Sequence, residues 1–95
     1  MRKIEREMLE AIRTGQDWHK DNTSVIDEGN GGGRVFLHGH LIATFADCGG
    51  QVFPDLDTLR EWPTATTKSR LRALGVDLHQ DKGVLFIDAD VVAHI

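Results

Sequence analysis

The stretch "VFLHGHLIATF", residues 35–45, decides the fold. Its two halves are rich in the aliphatic and aromatic residues that strands favour. Between them Gly39 is followed by His40, the pattern of a two-residue type II′ turn with glycine at its first position. We therefore predict a β-hairpin that turns at Gly39-His40.

Pairing about this turn sorts the side chains of the hairpin between two faces, because successive strand residues point to opposite sides. The face that we expect helices to cover carries Val35 opposite Thr44 and Leu37 opposite Ile42. The other face, an outer surface or an interface, carries Phe36, His38, Leu41 and Ala43.

Further strands are predicted on both sides of the hairpin. They occupy residues 23–28 and 34–38, with a glycine loop at 29–33, and then "QVFPDL", residues 51–56. Pro54 favours a sheet edge for the last of these, because proline cannot donate to a strand ladder. The glycine loop leads into "RVFLHG" and not into a helix with a lysine followed by Ser or Thr, so we interpret it as a hairpin loop and not as a phosphate cradle.

Two helices are predicted. Residues 2–14 carry an apolar stripe at helical spacing, and Gly15 follows where a left-handed cap would end the helix. In "TTKSRLRAL", residues 66–74, we place the N-cap at Thr66. The stripe that faces the core there consists of Thr67, Leu71 and Leu74. The segment 55–62 is compatible with a helix, a strand or a loop.

The C-terminal residues complete the fold prediction. "VDLHQDKGVLFID", residues 76–88, alternates around Asp81-Lys82-Gly83 as a hairpin does, and the apolar tail 89–95 forms a last strand or docks on the sheet. We expect an α+β fold in the order α-β-β-β-β-α-β-β, with an antiparallel sheet of about five to six strands and two helices on one face. An open edge of such a sheet would permit a homodimer.

Composition limits the class of protein. The chain of 95 residues predicts a single domain, 1–95, and its 40% hydrophobic and 27% charged residues are ordinary for a soluble globular protein. The net charge of -4 argues against coating nucleic acid through a basic surface. Cys48 is the single cysteine, so no internal disulfide can form, and no apolar run is long enough to span a membrane. We expect a cytoplasmic protein.

Cations concentrate in and before the second helix. Lys68, Arg70 and Arg72, together with Arg60, predict a basic patch in an acidic protein. Such a patch is either a solvated helix face or a contact for an anion, a nucleic acid or an acidic protein. Trp62 lies beside it and, like Trp18, either closes an end of the core or offers an exposed stacking surface.

Patterns that suggest catalysis or metal binding are weak. His38 and His40 would share a strand face and could bind zinc only if the turn lay elsewhere. Cys48 lies in a turn-like "DCGGQ", and the carboxylate pairs 55/57 and 88/90 have no recognisable partner base. We therefore expect no enzyme activity, no metal and no cofactor.

Three motifs carry a resemblance to a known group of proteins. "DNTSV", "VFLHGHLIA" and "TTKSRLRAL", in this order after a charged N-terminal helix, resemble small uncharacterised proteins encoded by tailed bacteriophages. The resemblance covers roughly residues 2–75. It implies a phage or prophage accessory protein that acts in the host cytoplasm, and it supplies no catalytic residue.

Two functions are consistent with these observations. The first is a protein-binding module that uses the outer sheet face and an aromatic side chain. The alternative is a nucleic-acid-binding accessory factor that contacts phosphate weakly through the basic helix around residues 66–74. The binding residues predicted from the sequence are Arg60, Trp62, Lys68, Arg70 and Arg72.

Overall fold

A computed structural model describes residues 1–95 and confirms the α+β class, with helix, strands, helices and strands in that order. The helices are α1 Lys3–Thr14, α2 Leu56–Glu61 and α3 Ala65–Ala73. The strands are β1 Trp18–Lys20, β2 Thr23–Gly29, β3 Gly32–Leu37, β4 His40–Ala46, β5 Gln51–Pro54, β6 Leu78–Asp81, β7 Val84–Ile87 and β8 Asp90–His94. A short 3-10 turn, Asp47–Gly49, precedes β5.

The strands divide between two antiparallel sheets, where the sequence predicted one. The first has the order β1-β2-β3-β4-β5 and the second the order β6-β7-β8. The segment 55–62, which the sequence allowed to be a helix, a strand or a loop, contains α2. Asp55 caps this helix by accepting a hydrogen bond from the Thr58 amide at 2.9 Å. Pro54 lies in β5, an edge strand, as predicted.

The predicted hairpin is present, but its turn is His38-Gly39 and not Gly39-His40. Both turn residues have positive φ, 52° and 78°, as a type I′ turn requires. His40 is therefore the first residue of β4 and pairs with Leu37. The prediction was wrong because it took glycine as the first turn residue, whereas histidine tolerates the left-handed region better than most side chains.

A β-bulge in β4 also changes the predicted pairing. Val35 pairs with Ala43 and Phe36 with Leu41, so Ile42 is the extra residue. Ile42 and Ala43 are consequently both buried, whereas Thr44, predicted to face the helices, lies on the opposite face and is half-buried. The predicted faces hold for the strand residues before the bulge. They fail for His38, which lies in the turn, and for Ala43 and Thr44 after the bulge.

The core lies between the inner face of the five-stranded sheet and the helices. The sheet contributes Val25, Val35, Leu37, Ile42, Ala43 and Phe45. Gly33 is required on this face because an added Cβ would collide with the backbone oxygen of Ile26 and with the Phe45 ring. The α1 stripe buries Met8, Ala11 and Ile12, and Gly15 ends this helix at φ 69° as predicted.

The α3 helix presents the predicted stripe to the core, since Thr67, Leu71 and Leu74 are all buried. Its N-cap is Thr64 and not Thr66, and the Thr64 hydroxyl accepts a hydrogen bond from the Thr67 amide at 3.1 Å. The prediction was two residues late because several threonines in a row offer equivalent caps. No helix of the protein is long and apolar enough to cross a membrane.

Candidate functional site

Arg70 is not available as an anion contact, because it is only 3% exposed. Its Nη1 donates to Oε2 of Glu5 at 2.8 Å, and its Nε donates to Oγ1 of Thr23 at 3.1 Å. Ser69 Oγ donates to the same Glu5 oxygen at 2.6 Å. The guanidinium thus joins α3 to α1 and β2, and its role is to hold these elements together.

The environment of Glu5 lowers the pKa of its carboxyl below the usual value. Burial alone would raise this pKa, but hydrogen bonds from Ser69, Arg70 and the Arg2 amide, with the charge of Arg70, outweigh burial. Glu5 is also 3% exposed, so both partners of the ion pair are inside the protein. A buried ion pair of this kind is strongly coupled, and removal of one partner leaves an uncompensated charge.

The other three predicted cations, Arg60, Lys68 and Arg72, attach the three-stranded sheet to the helices, and we call them the tether cations. Each donates a hydrogen bond of 2.7–2.8 Å to that sheet. The acceptors are the backbone oxygens of Val92 and Leu78 and the side-chain oxygen of Gln80. The prediction that all four cations form one exposed basic patch is wrong for Arg70, which is buried, and the other three are each hydrogen-bonded within the chain.

Trp62 follows α2 and is 45% exposed, so it does not close the core. Its ring stacks on His40, with centroids 5.1 Å apart and planes inclined by 27°. A small cavity of about 160 Å³ lies beside this pair, and its floor includes Leu37 and Ile42. Trp18, in contrast, packs against the core from β1.

The candidate catalytic and metal-binding residues lie apart. His38 is in the hairpin turn and approaches Asn22, whereas His40 stacks on Trp62. Cys48 is exposed. No group of three or more His, Cys, Asp or Glu side chains comes together in a way that could hold a metal ion.

The outer face of the five-stranded sheet is the surface opposite the helices. It carries four apolar side chains from successive strands, Ile26, Phe36, Leu41 and Phe53. None of them belongs to the core or packs against it. The first three are half-buried by their neighbours, and Phe53 is 55% exposed. The sequence predicted this face from Phe36 and Leu41 but did not reveal that Ile26 and Phe53 continue it.

Arg34 lies in the middle of the outer face. Its guanidinium is 5.5 Å from the centroid of the Phe36 ring, within cation–π range. Its Nε is buried and forms an ion pair with Glu28 Oε2 at 3.1 Å, but it makes no hydrogen bond.

A second exposed apolar surface is a groove between β5, α2 and β8, which we call the edge groove. It has a volume of about 420 Å³. Its apolar lining consists of Val52, Phe53, Leu56, Ile87, Val91 and Val92. Arg60 and Asp90 are its charged residues. Sequence reasoning missed this groove because it depends on how the two sheets lie beside each other.

Comparison with known proteins identifies the family. A family model described as Kyanoviridae Gp96 protein matches residues 1–94. The chain belongs to this phage protein family, which confirms the expected phage-encoded small protein. No curated protein and no solved structure matches.

Proposed function

We propose that this phage-family protein is a non-catalytic accessory protein that binds another protein in the cytoplasm of the host cell. The binding surface is the outer face of the five-stranded sheet. Four uncovered apolar side chains on successive strands are the observation that carries the proposal. An apolar patch that no other part of the chain covers is typical of a protein interaction site.

The composition of the outer face fits a protein partner. Aromatic residues and arginine are enriched in interface centres and dominate the energy of binding. Phe36, Phe53 and Arg34 supply these types on one surface. The side chain of Arg34 is 43% exposed, so its guanidinium can donate hydrogen bonds to an oxygen acceptor on the partner.

Affinity capture from the lysate of phage-infected host cells tests this proposal. The unaltered protein, treated with nuclease, should retain a defined partner, and Leu41→Asp should lose at least about nine-tenths of it because a carboxylate would be desolvated at the contact. Ile95→Asp is the matched control, since Ile95 is 45% exposed and lies outside the outer face. Equal capture by all three proteins would contradict the outer face as the binding surface.

Nucleic-acid binding is the second candidate, and one observation favours it. Arg2, Lys3 and Arg6 are exposed at the start of α1, which contacts the helix that carries Lys68 and Arg72. The net charge of -4 opposes a strong contact of this kind. Partner capture that disappears with nuclease, together with salt-sensitive binding that Arg2→Ala and Lys3→Ala weaken, would favour this candidate over the first.

Homodimerisation would be another use of the same face. Light scattering on the purified protein distinguishes it from binding to a different protein. A dimer that Leu41→Asp converts to a monomer would identify the partner as a second copy of this chain.

A further inference from the structure

We infer that the edge groove binds an extended apolar segment of a partner protein with basic residues at its ends. This goes beyond the proposed function, because the groove shares only Phe53 with the outer face and its ligand has a stated chemistry. Three properties of the groove lead to the inference: its apolar lining, its free sheet edge and its charge.

The lining of the groove is suited to apolar side chains. Val52, Leu56 and Ile87 are half-buried along it, whereas Phe53 and Val91 are 55% and 54% exposed at its sides. Two such exposed residues facing one groove lose contact with water when a ligand fills the space between them, and this burial favours binding.

The backbone beside the groove is suited to an extended ligand. β5 is the last strand of its sheet, so one side of it pairs with no other strand. Peptides commonly bind such an edge by adding a strand, with backbone hydrogen bonds for affinity and side-chain pockets for selectivity. β8 offers less, because Arg60 already occupies the backbone oxygen of Val92 at 2.7 Å. The segment therefore adds to β5, and α2 and β8 form the opposite wall.

The charge around the groove selects a basic ligand. Asp90 and Arg60 line the groove, and the chain segments that supply them, 55–61 and 88–90, contain five carboxylates and one cation. The cation is Arg60, which already contacts Asp57 at 3.3 Å. Glu61, Asp88 and Asp90 are exposed and take part in no ion pair, so they are free to attract lysine or arginine on an incoming chain.

The same charge argues against two other ligands. A second copy of this chain, docked edge to edge, would place these carboxylates opposite their equivalents, and like charges in an interface are unfavourable. Nucleic acid would meet the carboxylates with its phosphates. An apolar peptide segment with basic ends is the ligand that matches both the apolar lining of the groove and the carboxylates around it.

Binding of synthetic peptides to the full chain tests the inference. The probe is a short alternating valine–threonine peptide with a pair of lysines at each end, and its counterpart has glutamates in place of the lysines. We expect saturable binding of the lysine peptide that weakens with added salt, and at least about tenfold weaker binding of the glutamate peptide. Amide NMR shifts should map to β5, α2 and β8.

Variants locate the site. Val91→Lys should weaken binding of the lysine peptide at least about tenfold, which is the effect typical of a central interface residue. Leu41→Lys on the outer face is the matched control and should leave peptide binding unchanged. Should Val91→Lys fold poorly, the double variant Asp88→Asn, Asp90→Asn provides the second test, since it should reduce binding most at low salt.

Three results would overturn the inference. They are the absence of saturable binding at millimolar peptide, equal binding of the lysine and glutamate peptides, and amide NMR shifts confined to the outer face. The outcome is independent of the proposed function. Loss of partner capture in Leu41→Asp concerns the outer face alone, and loss of peptide binding in Val91→Lys concerns the groove alone.

Discussion

The two sheets of this protein are stabilised in different ways. The five-stranded sheet covers its inner face with all three helices and contributes six buried apolar residues to the core. The three-stranded sheet contributes two buried residues, Leu78 and Leu85, and its half-buried Ile87, Val92 and Ala93 pack against the core. Its further attachment comes from the tether cations, which donate from α2 and α3 to acceptors in β6 and β8. The first sheet is held by buried area, and the second depends partly on hydrogen bonds near the surface.

This difference explains why the cations around residues 60–72 suggest a ligand site in the sequence. A tether cation and a ligand-binding cation have the same residue type and the same position on a helix surface. They differ only in whether an acceptor of the same chain lies within reach. The tertiary structure supplies such acceptors for all four predicted cations, and for Arg70 the acceptor is buried.

Removing the buried cation should have the largest effect on stability. Arg70→Ala leaves the Glu5 carboxylate without its charged partner inside the protein, and we expect a loss of about 3–5 kcal/mol in the free energy of unfolding. Urea denaturation measures this loss. Arg72→Ala, at an exposed tether position two residues away, is the control and should cost about 1 kcal/mol or less. Similar losses in both variants would remove the distinction between buried and surface attachment.

A core truncation should have the next largest effect. Leu71 is fully buried in the main cluster, so Leu71→Ala should lose about 2–5 kcal/mol through a cavity that the surrounding helices cannot fill. Leu41→Ala, on the half-buried outer face, removes the same atoms and should cost clearly less. A loss below about 0.5 kcal/mol for Leu71→Ala, measured by the same denaturation, would show that the α3 stripe has been placed on the wrong side.

The sequence predicts those features that depend on local pattern. The α3 stripe at Thr67 and Leu71 follows from helical spacing, and the outer-face position of Phe36 follows from strand alternation. The β4 bulge could not be predicted, because one extra residue at Ile42 leaves the local pattern equally apolar and only pairing with β3 reveals it. The same holds for the candidate sites: the edge groove joins β5 and β8, which lie far apart in the chain.

Acid should reduce the contribution of the buried ion pair. The pKa of Glu5 is lower in the folded protein than the usual value of 4.5. The stability from this shift is therefore fully present above the unfolded pKa and is lost as the pH falls through the folded pKa. The difference in unfolding free energy between the unaltered protein and Glu5→Gln should accordingly shrink as the pH drops below about 4.5.

Glu10→Gln, on the exposed side of α1, is the control for this measurement. Its difference from the unaltered protein should stay small across the same pH range. If the difference in unfolding free energy between the unaltered protein and Glu5→Gln stayed constant or grew in acid, the fold would not be keeping the Glu5 carboxylate ionised.

The smallest effect should come from a single tether cation, and it should be confined to one sheet. Arg60→Ala removes the hydrogen bond to the Val92 oxygen, but Arg60 is exposed, so we expect a loss of about 1 kcal/mol or less. That loss corresponds to amide exchange in β8 that is faster by up to about fivefold if β8 opens locally. Amides of β3, at the centre of the other sheet, should exchange as before. Arg13→Ala is the matched control, since its ion pair with Glu10 lies within α1 and touches neither sheet. If amide exchange became faster in both β3 and β8 of Arg60→Ala, the two sheets would open as one unit. The two sheets would then not differ in how they are attached.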